Sequence, residues 1–473
     1  MSYNKLYILL IFIIISLNIY SQKVWTLEDC IKHAYENNIQ IKQQELNSEV
    51  KNLDLIQSKT ALLPNFNASG SHSYNFGRTI DMYTNEFATS RVQSNNFYIS
   101  SGITVFDGFK LLNTIKQNML EKEAAVYDLE KMKNDIALTI ATAYLQVLFN
   151  YEFLEIKQSQ LDISKQQVKR TTILVDAGTL SKASLYSIQA QSASDELQYV
   201  NAKNQLDLSY LTLAQLLDLP STEGFEIERP LIDINALSFP VQTPEYIYST
   251  SLKFQPEIKS AEIKLQSAQK GLSIARSSVS PSISLRGSYG TGYSGASKEI
   301  TNVALSGYTP IGVTQSQEIV YGPTFDYVTR IKPFNSQLKD NLNQSLGLTL
   351  TIPIFNGLQA RTAISKSKIL IENTDFTLQS TKNQLNKNIQ QAYADAKSAY
   401  NRYLAAQKSV EANEESYKYV EQKFNLGMLN SIDYNDAKNK LTSARSELLQ
   451  SKYEYLFRIK ILDFYQGKPI SIK

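Results

Sequence analysis

A shift of 249 residues lays the second half of this sequence on the first. Phe106 meets Phe355, Gly108 meets Gly357, Ala143-Tyr144 meets Ala392-Tyr393, Gly178 meets Gly427 and Pro220 meets Pro469, without a gap over 115 residues. Upstream the interval is 217: Ile41 meets Ile258, and Pro64 of LLPNF meets Pro281 of VSPSI. The difference of 32 residues is an insertion between Pro281 and Pro353. Self-similarity on this scale means one supersecondary unit used twice, and it overrides any division made on length alone. The chain therefore reads as repeats at 22–220 and 244–473. Between them lies a Pro- and Gly-containing linker at 221–243, and residues 1–21 come before the first repeat.

Each repeat carries the same order of patterns. An opening helix (Leu27 to Leu62; Pro244 to Val279) leads to a strand pair, a very long helix, a Gly corner and a return helix. In the long helices, Ile140, Tyr144, Val147, Tyr151 and Leu154 step by four and three, as do Ile389, Tyr393, Ala396, Tyr400 and Tyr403. Such a narrow stripe predicts coiled-coil-type packing of helix on helix, so its aromatic residues are core. About 65 helical residues span roughly 100 Å at 1.5 Å each. The opening and return helices are half that length, so one of each, end to end, matches one long helix.

The strands have a different period. In FYISSGITVF, Phe97, Ile99, Ile103 and Val105 alternate with Tyr98, Ser100, Gly102 and Thr104. SLGLTLTI alternates Leu346, Leu348, Leu350 and Ile352 with small and polar residues, and NFNASGSHSY and SISLRGSYG do so more weakly. Segments of about ten residues, apolar on one side only, are what a membrane β-barrel requires. After the N-terminus no apolar run is long enough to span a membrane as a helix. The N-terminus has Lys5, the run LYILLIFIII and a small-residue cut near Ser21–Gln22, the form of a secretory leader. Four strands cannot close a barrel, and lipid does not tolerate open edges, so a membrane reading needs several copies around one barrel. Long loops then face outward. The longer, about 291–343, is rich in Gly, Ser, Thr and Tyr, with added apolar and Tyr content near 308–327.

Strand meets long helix at TVFDGFK and at PIFNGLQ, where Asp107-Gly108 and Asn356-Gly357 form matching corners. Asp and Asn share a short capping role there.

Other classes find no support. With 48 basic and 45 acidic side chains the net charge is +3, too balanced for a nucleic-acid partner. Cys30 is the only cysteine, which excludes an intrachain disulfide; it reads as a helix-packing residue. His33 and His72 are far apart in sequence, and no metal cluster, nucleophile elbow or phosphate-binding Gly loop is visible. The expectation is no enzyme, no cofactor and no metal.

With this plan the chain resembles the TolC-like outer-membrane efflux duct family. The resemblance rests on the duplication, the VFDG and IFNG corners, LLPNF and VSPSI before the strands, and the tips VDAGTLSKASLYSIQAQ and FNLGMLNSIDYNDAKNKL. It implies a mainly helical chain with a membrane β-barrel part, assembled as a homotrimer with a 12-strand barrel in outer-membrane lipid and a 12-helix α-barrel through the periplasm. It also implies passive export of small molecules (drug efflux) or secreted proteins. The energy would come from an inner-membrane RND or ABC-type pump, through a periplasmic adaptor. By the same resemblance Gly178, Thr179, Leu180, Gly427, Met428 and Leu429 contact the adaptor, and Asp433 and Asp436 ring the periplasmic gate. The first repeat has Ser184 and Ser187 at the places equivalent to the acidic pair, so the ring comes from one repeat. Leu429 stands where some members carry a basic gate residue, which argues against their salt-bridge latch. A non-conducting envelope coiled-coil scaffold or adhesin is the alternative; it leaves the duplicated strands unexplained.

Overall fold

The structure, a computed structural model, describes residues 24–88, 91–230 and 242–471. The expected leader, and positions 231–241 of the linker, lie outside them. The two repeats have the same order of elements, and the boundaries of their long and return helices match. In the first, α1 (Leu27–Asn37) and α2 (Ile39–Thr60) precede strands β2 (Asn65–Asn75) and β5 (Val92–Phe106), long helix α3 (Lys110–Asp176) and return helix α4 (Lys182–Leu216). In the second, α5 (Pro244–Ser251) and α6 (Pro256–Ser277) precede β7 (Ser282–Ser294), β10 (Asn343–Thr351), α8 (Gln359–Asn425) and α9 (Ser431–Tyr465). Both long helices have 67 residues and both return helices 35.

The opening helices, expected as continuous from Leu27 to Leu62 and from Pro244 to Val279, are each interrupted. Asn38 sits in extended backbone (φ −60°, ψ 127°), and its side chain accepts from the amides of Gln40 (2.9 Å) and Ile41 (3.3 Å), capping α2 afresh. In the second repeat Pro256 has no amide hydrogen and pushes Gln255 out of the helical region, so α6 starts anew there.

Contacts divide the chain into two units. The described residues of one, within 24–52, 120–230, 242–266 and 372–471, are helical and turn apart from a two-residue parallel pair, β1 (Val24–Trp25) with β6 (Glu226–Ile227). Its core is two apolar clusters, and α9 serves both. Leu449, Tyr453 and Leu456 join one around Cys30, Ile140 and Leu213. Tyr455, Ile459 and Leu462 join the other around Ile247, Ile258 and Ile389. The buried Tyr144 hydroxyl donates to the carbonyls of Trp25 (3.2 Å) and Glu228 (2.7 Å), clamping the parallel pair.

The other unit, 53–119 with 267–371, holds an antiparallel sheet of order β10-β7-β5-β2. Its register puts Leu348, Leu285 and Ile103 in one row and Leu350 beside Ile283 in the next. Between these residues, on the opposite face, lie Thr349, Ser284 and Thr104. One face is thus apolar and the other polar, by the period of two. The edges of β10 and β2 have no partner within the sheet. The segment expected as a polar loop is instead structured: β8 (Lys298–Val313) and β9 (Ile319–Ile331) form a long hairpin, followed by short helix α7 (Phe334–Asp340). A smaller hairpin, β3 (Thr79–Ile80) with β4 (Phe87–Ala88), sits between β2 and β5.

The corners are left-handed twice over: Gly108 (φ 67°) and Phe109 (65°), then Gly357 (60°) and Leu358 (65°). The Asp107 carboxylate accepts from the Leu111 amide at 3.0 Å; Asn356 accepts from Ala360 at 3.5 Å. The two glycines differ in their surroundings. A Cβ on Gly108 would lie 2.5 Å from the Ser280 Cβ, whereas one on Gly357 meets nothing within 4 Å. Gly357→Ala should therefore cost only the left-handed penalty, roughly 1–2 kcal/mol. Gly108→Ala should cost more, seen as the larger fall in thermal midpoint of the purified protein; equal falls would contradict the close approach of Ser280.

Candidate functional site

The two helix-to-helix tips end alike. Gly178 (φ 74°) and Gly427 (φ 72°) terminate α3 and α8 in the left-handed conformation that Gly adopts freely. The Thr179 amide donates to the Leu174 carbonyl at 2.9 Å and the Met428 amide to Lys423 at 2.9 Å, which satisfies the helix ends. The return helices are then capped. Ser181 accepts from the Ser184 amide (3.2 Å), and Asn430 accepts from Ile432 and Asp433 (2.9 Å each). Leu426 and Met428 stand out at 71% and 72% exposure; Leu180 and Leu429 are half-buried.

Asp433 and Asp436 are both exposed on the first turns of α9, three apart on one face. Asp436 also pairs with Lys440 at 2.7 Å, a solvated i,i+4 contact of small energy. The opposite face of the same turns is buried and holds α9 in place. Tyr434 stacks on Phe424, ring centroids 4.5 Å apart, and its hydroxyl meets Tyr417 (2.9 Å) and Gln167 (3.2 Å). Burial pushes both phenols above the ordinary tyrosine range, so they remain protonated donors at neutral pH. Arg170 on α3 donates to Asn425 at the end of α8, so the first and second tips adjoin.

One turn further along α9 lies a pair that sequence reasoning missed. Lys438 and Asp195 form an ion pair at 2.9 Å, with side chains 4% and 0% exposed. The ammonium also donates to the Gln160 carbonyl (3.1 Å) and to Ser164. The carboxylate accepts from Gln160 (2.8 Å), Gln191 (2.9 Å) and Ser164. Burial lowers the Lys438 pKa, against the opposing pull of Asp195. The pair breaks the duplication, since the equivalent positions are Ala444 and Gln189. A signal existed: Ile188, Asp195 and Ala202 are buried at seven-residue spacing, which makes Asp195 a carboxylate in a heptad slot.

Among the described residues no group of three His, Cys, Asp or Glu side chains could hold a metal ion. His33 stacks edge-on against Trp25 at 5.1 Å. None of the helices is long and apolar enough to cross a membrane, among the described residues.

Long paired helices thus continue in sequence from a sheet that is apolar on one face. The sequence matches the outer membrane efflux protein family over residues 30–218 and 247–463, and the chain belongs to that family. It is 21% identical to the outer membrane protein TolC of Escherichia coli K12 over 410 residues, 85% of this chain and 73% of that protein. TolC of Vibrio cholerae is 19% identical over 95% of this chain and 92% of its own length. The fold is that of the CusC crystal structure (TM-score 0.75, 15% identity, 96% of both chains). It is equally that of the Campylobacter jejuni CmeC outer membrane channel (TM-score 0.75, 18% identity, 94% of this chain and 86% of that one). The protein is an efflux channel of the outer membrane that extends into the periplasm; its family is not one of enzymes. The scaffold alternative gives way to this.

Lys438→Met alone strands a buried carboxylate and should lower stability by about 3–5 kcal/mol. Adding Asp195→Asn should recover most of that loss in a thermal unfolding series. Equal midpoints for Lys438→Met and the double variant would mean that the loss does not come from the stranded carboxylate.

Proposed function

We propose that three copies share one 12-strand barrel and one 12-helix tunnel, forming a passive export duct for small molecules or secreted proteins. An inner-membrane RND or ABC-type pump energises it through a periplasmic adaptor. The observation that carries this reading is the four-stranded sheet, apolar on one face and open at both edges, in a protein of the outer membrane. Unpaired backbone groups cost several kcal/mol each in hydrocarbon, so the edges of β10 and β2 have to pair with other copies. The corners at Asp107-Gly108 and Asn356-Gly357 then mark where strands leave the membrane and become helices. The tips carry the partner-facing functions. Gly178, Thr179, Leu180, Gly427, Met428 and Leu429 dock the adaptor. Asp433 and Asp436 from three copies place six carboxylates around the periplasmic aperture, a ring that favours cations and repels anions. Support for this comes from the exposure of Leu426 and Met428, and from the outward face shared by the two aspartates.

Leu180→Glu combined with Met428→Glu should abolish export in cells while SDS-resistant trimers persist in the outer membrane; normal export would sink the docking assignment. Asp433→Asn with Asp436→Asn should remove block by divalent cations in planar bilayers. An unchanged block would remove these residues from the aperture.

A further inference from the structure

The β8–β9 hairpin has one face that the channel reading leaves uncovered. On β8 Ile300, Val303, Leu305, Tyr308, Pro310 and Val313 are spaced three, two, three, two, three, with Ala304 and Ile311 between them, which fits neither strand nor helix. Three bulges, after Ile300, Leu305 and Pro310, each absorb one extra residue and restore the alternation. Val303 thus stands opposite Tyr327, Leu305 opposite Phe325, Pro310 opposite Tyr321 and Val313 opposite Ile319, all on one face. The other face is mixed: Glu299–Arg330, Asn302–Val328, Ala304–Asp326, Gly307–Thr324 and Gly312–Val320 pair there, and Ile311 lies over Gly322. The apolar side chains are open to solvent in the single chain: Tyr308 is 64% exposed, Tyr327 58% and Leu305 55%.

Two arguments select what covers this face. A lone hairpin has two unpaired edges, so the hydrocarbon of a bilayer is excluded as its solvent. Thirteen residues of strand and a two-strand width give a patch of roughly 45 by 10 Å, on the order of 400 Å². That is the size of the largest patch on a typical monomer, which is often a functional one, and about half of what each side of a free-standing complex usually buries, ~800 Å². The occupant must therefore already be held nearby by other contacts. The copies whose sheet edges close the barrel are so held, and each carries the same hairpin where β7 ends.

We infer that the β8–β9 hairpins of the copies sharing one barrel pack apolar face to apolar face at its outer mouth, forming an external closure contributed by all copies. This rests on the three-copy reading.

The test is cysteine crosslinking in whole cells, in the full chain with Cys30→Ala. Val303→Cys, Leu305→Cys and Tyr327→Cys probe the apolar face; Ala304→Cys, Thr324→Cys and Asp326→Cys probe the other. A short bismaleimide should give covalent dimers from the first set and almost none from the second, and the first set should resist a membrane-impermeant maleimide. Labelling without crosslinking means a solvent-exposed face and overturns the inference. Protection without crosslinking means another occupant, lipid or a surface protein, and also overturns it. Equal crosslinking from both faces means undirected collision and does the same. A variant with 298–331 replaced by a short turn separates the two readings: if it and the parent both fail to form SDS-resistant trimers, the channel reading fails. Trimers without apolar-face crosslinks sink the hairpin inference alone.

Discussion

Backbone hydrogen bonding at the edges of one sheet is the constraint on which the rest depends. Strands β10 and β2 each present a row of unpaired amides and carbonyls, and the sheet is apolar on one face. In water such edges are solvated; in hydrocarbon they are not. On the proposed reading the strands are completed only by further copies, and the helices follow the same symmetry because each long helix continues a strand through a left-handed Gly corner. Half a chain is then the repeating unit of a ring, which is why the corner occurs twice.

Duplication supplies the frame, and departures from it supply the function. The boundaries of the long and return helices coincide, and so do the glycines that end the long helices. The polar contents do not. The acidic pair at Asp433 and Asp436 has Ser184 and Ser187 as its counterparts, and the buried Lys438–Asp195 pair has Gln189 and Ala444. Both asymmetries lie on α9, on opposite faces of the same few turns. Its buried face, through Tyr434 and Lys438, ties α9 to α3 and α4 and so fixes which way the aspartates point.

Legibility followed the range of the interaction. Heptad stripes, strand alternation and Gly corners depend on residues a few positions apart, so their type was readable from local order. The breaks at Asn38 and before Pro256 were also local, and Asn38 and Pro256 were the residues that signalled them. The hairpin at 298–331 was missed although Ile319, Tyr321, Phe325 and Tyr327 on β9 alternate plainly, because bulges disguise the matching period on β8 and only the pairing reveals the register.

The sequence by itself determined the duplicated unit, its order of helix, strand and long helix, and the positions where the chain turns, since each is written in spacing along the chain. Only the tertiary structure decided which polar residues in apolar slots meet, and which face of each element is left without a partner. Asp195 and Lys438 are 243 positions apart, and nothing local requires one of the other. Their pairing arises because packing brings α4 and α9 together in a buried space where a lone charge would be too costly to keep.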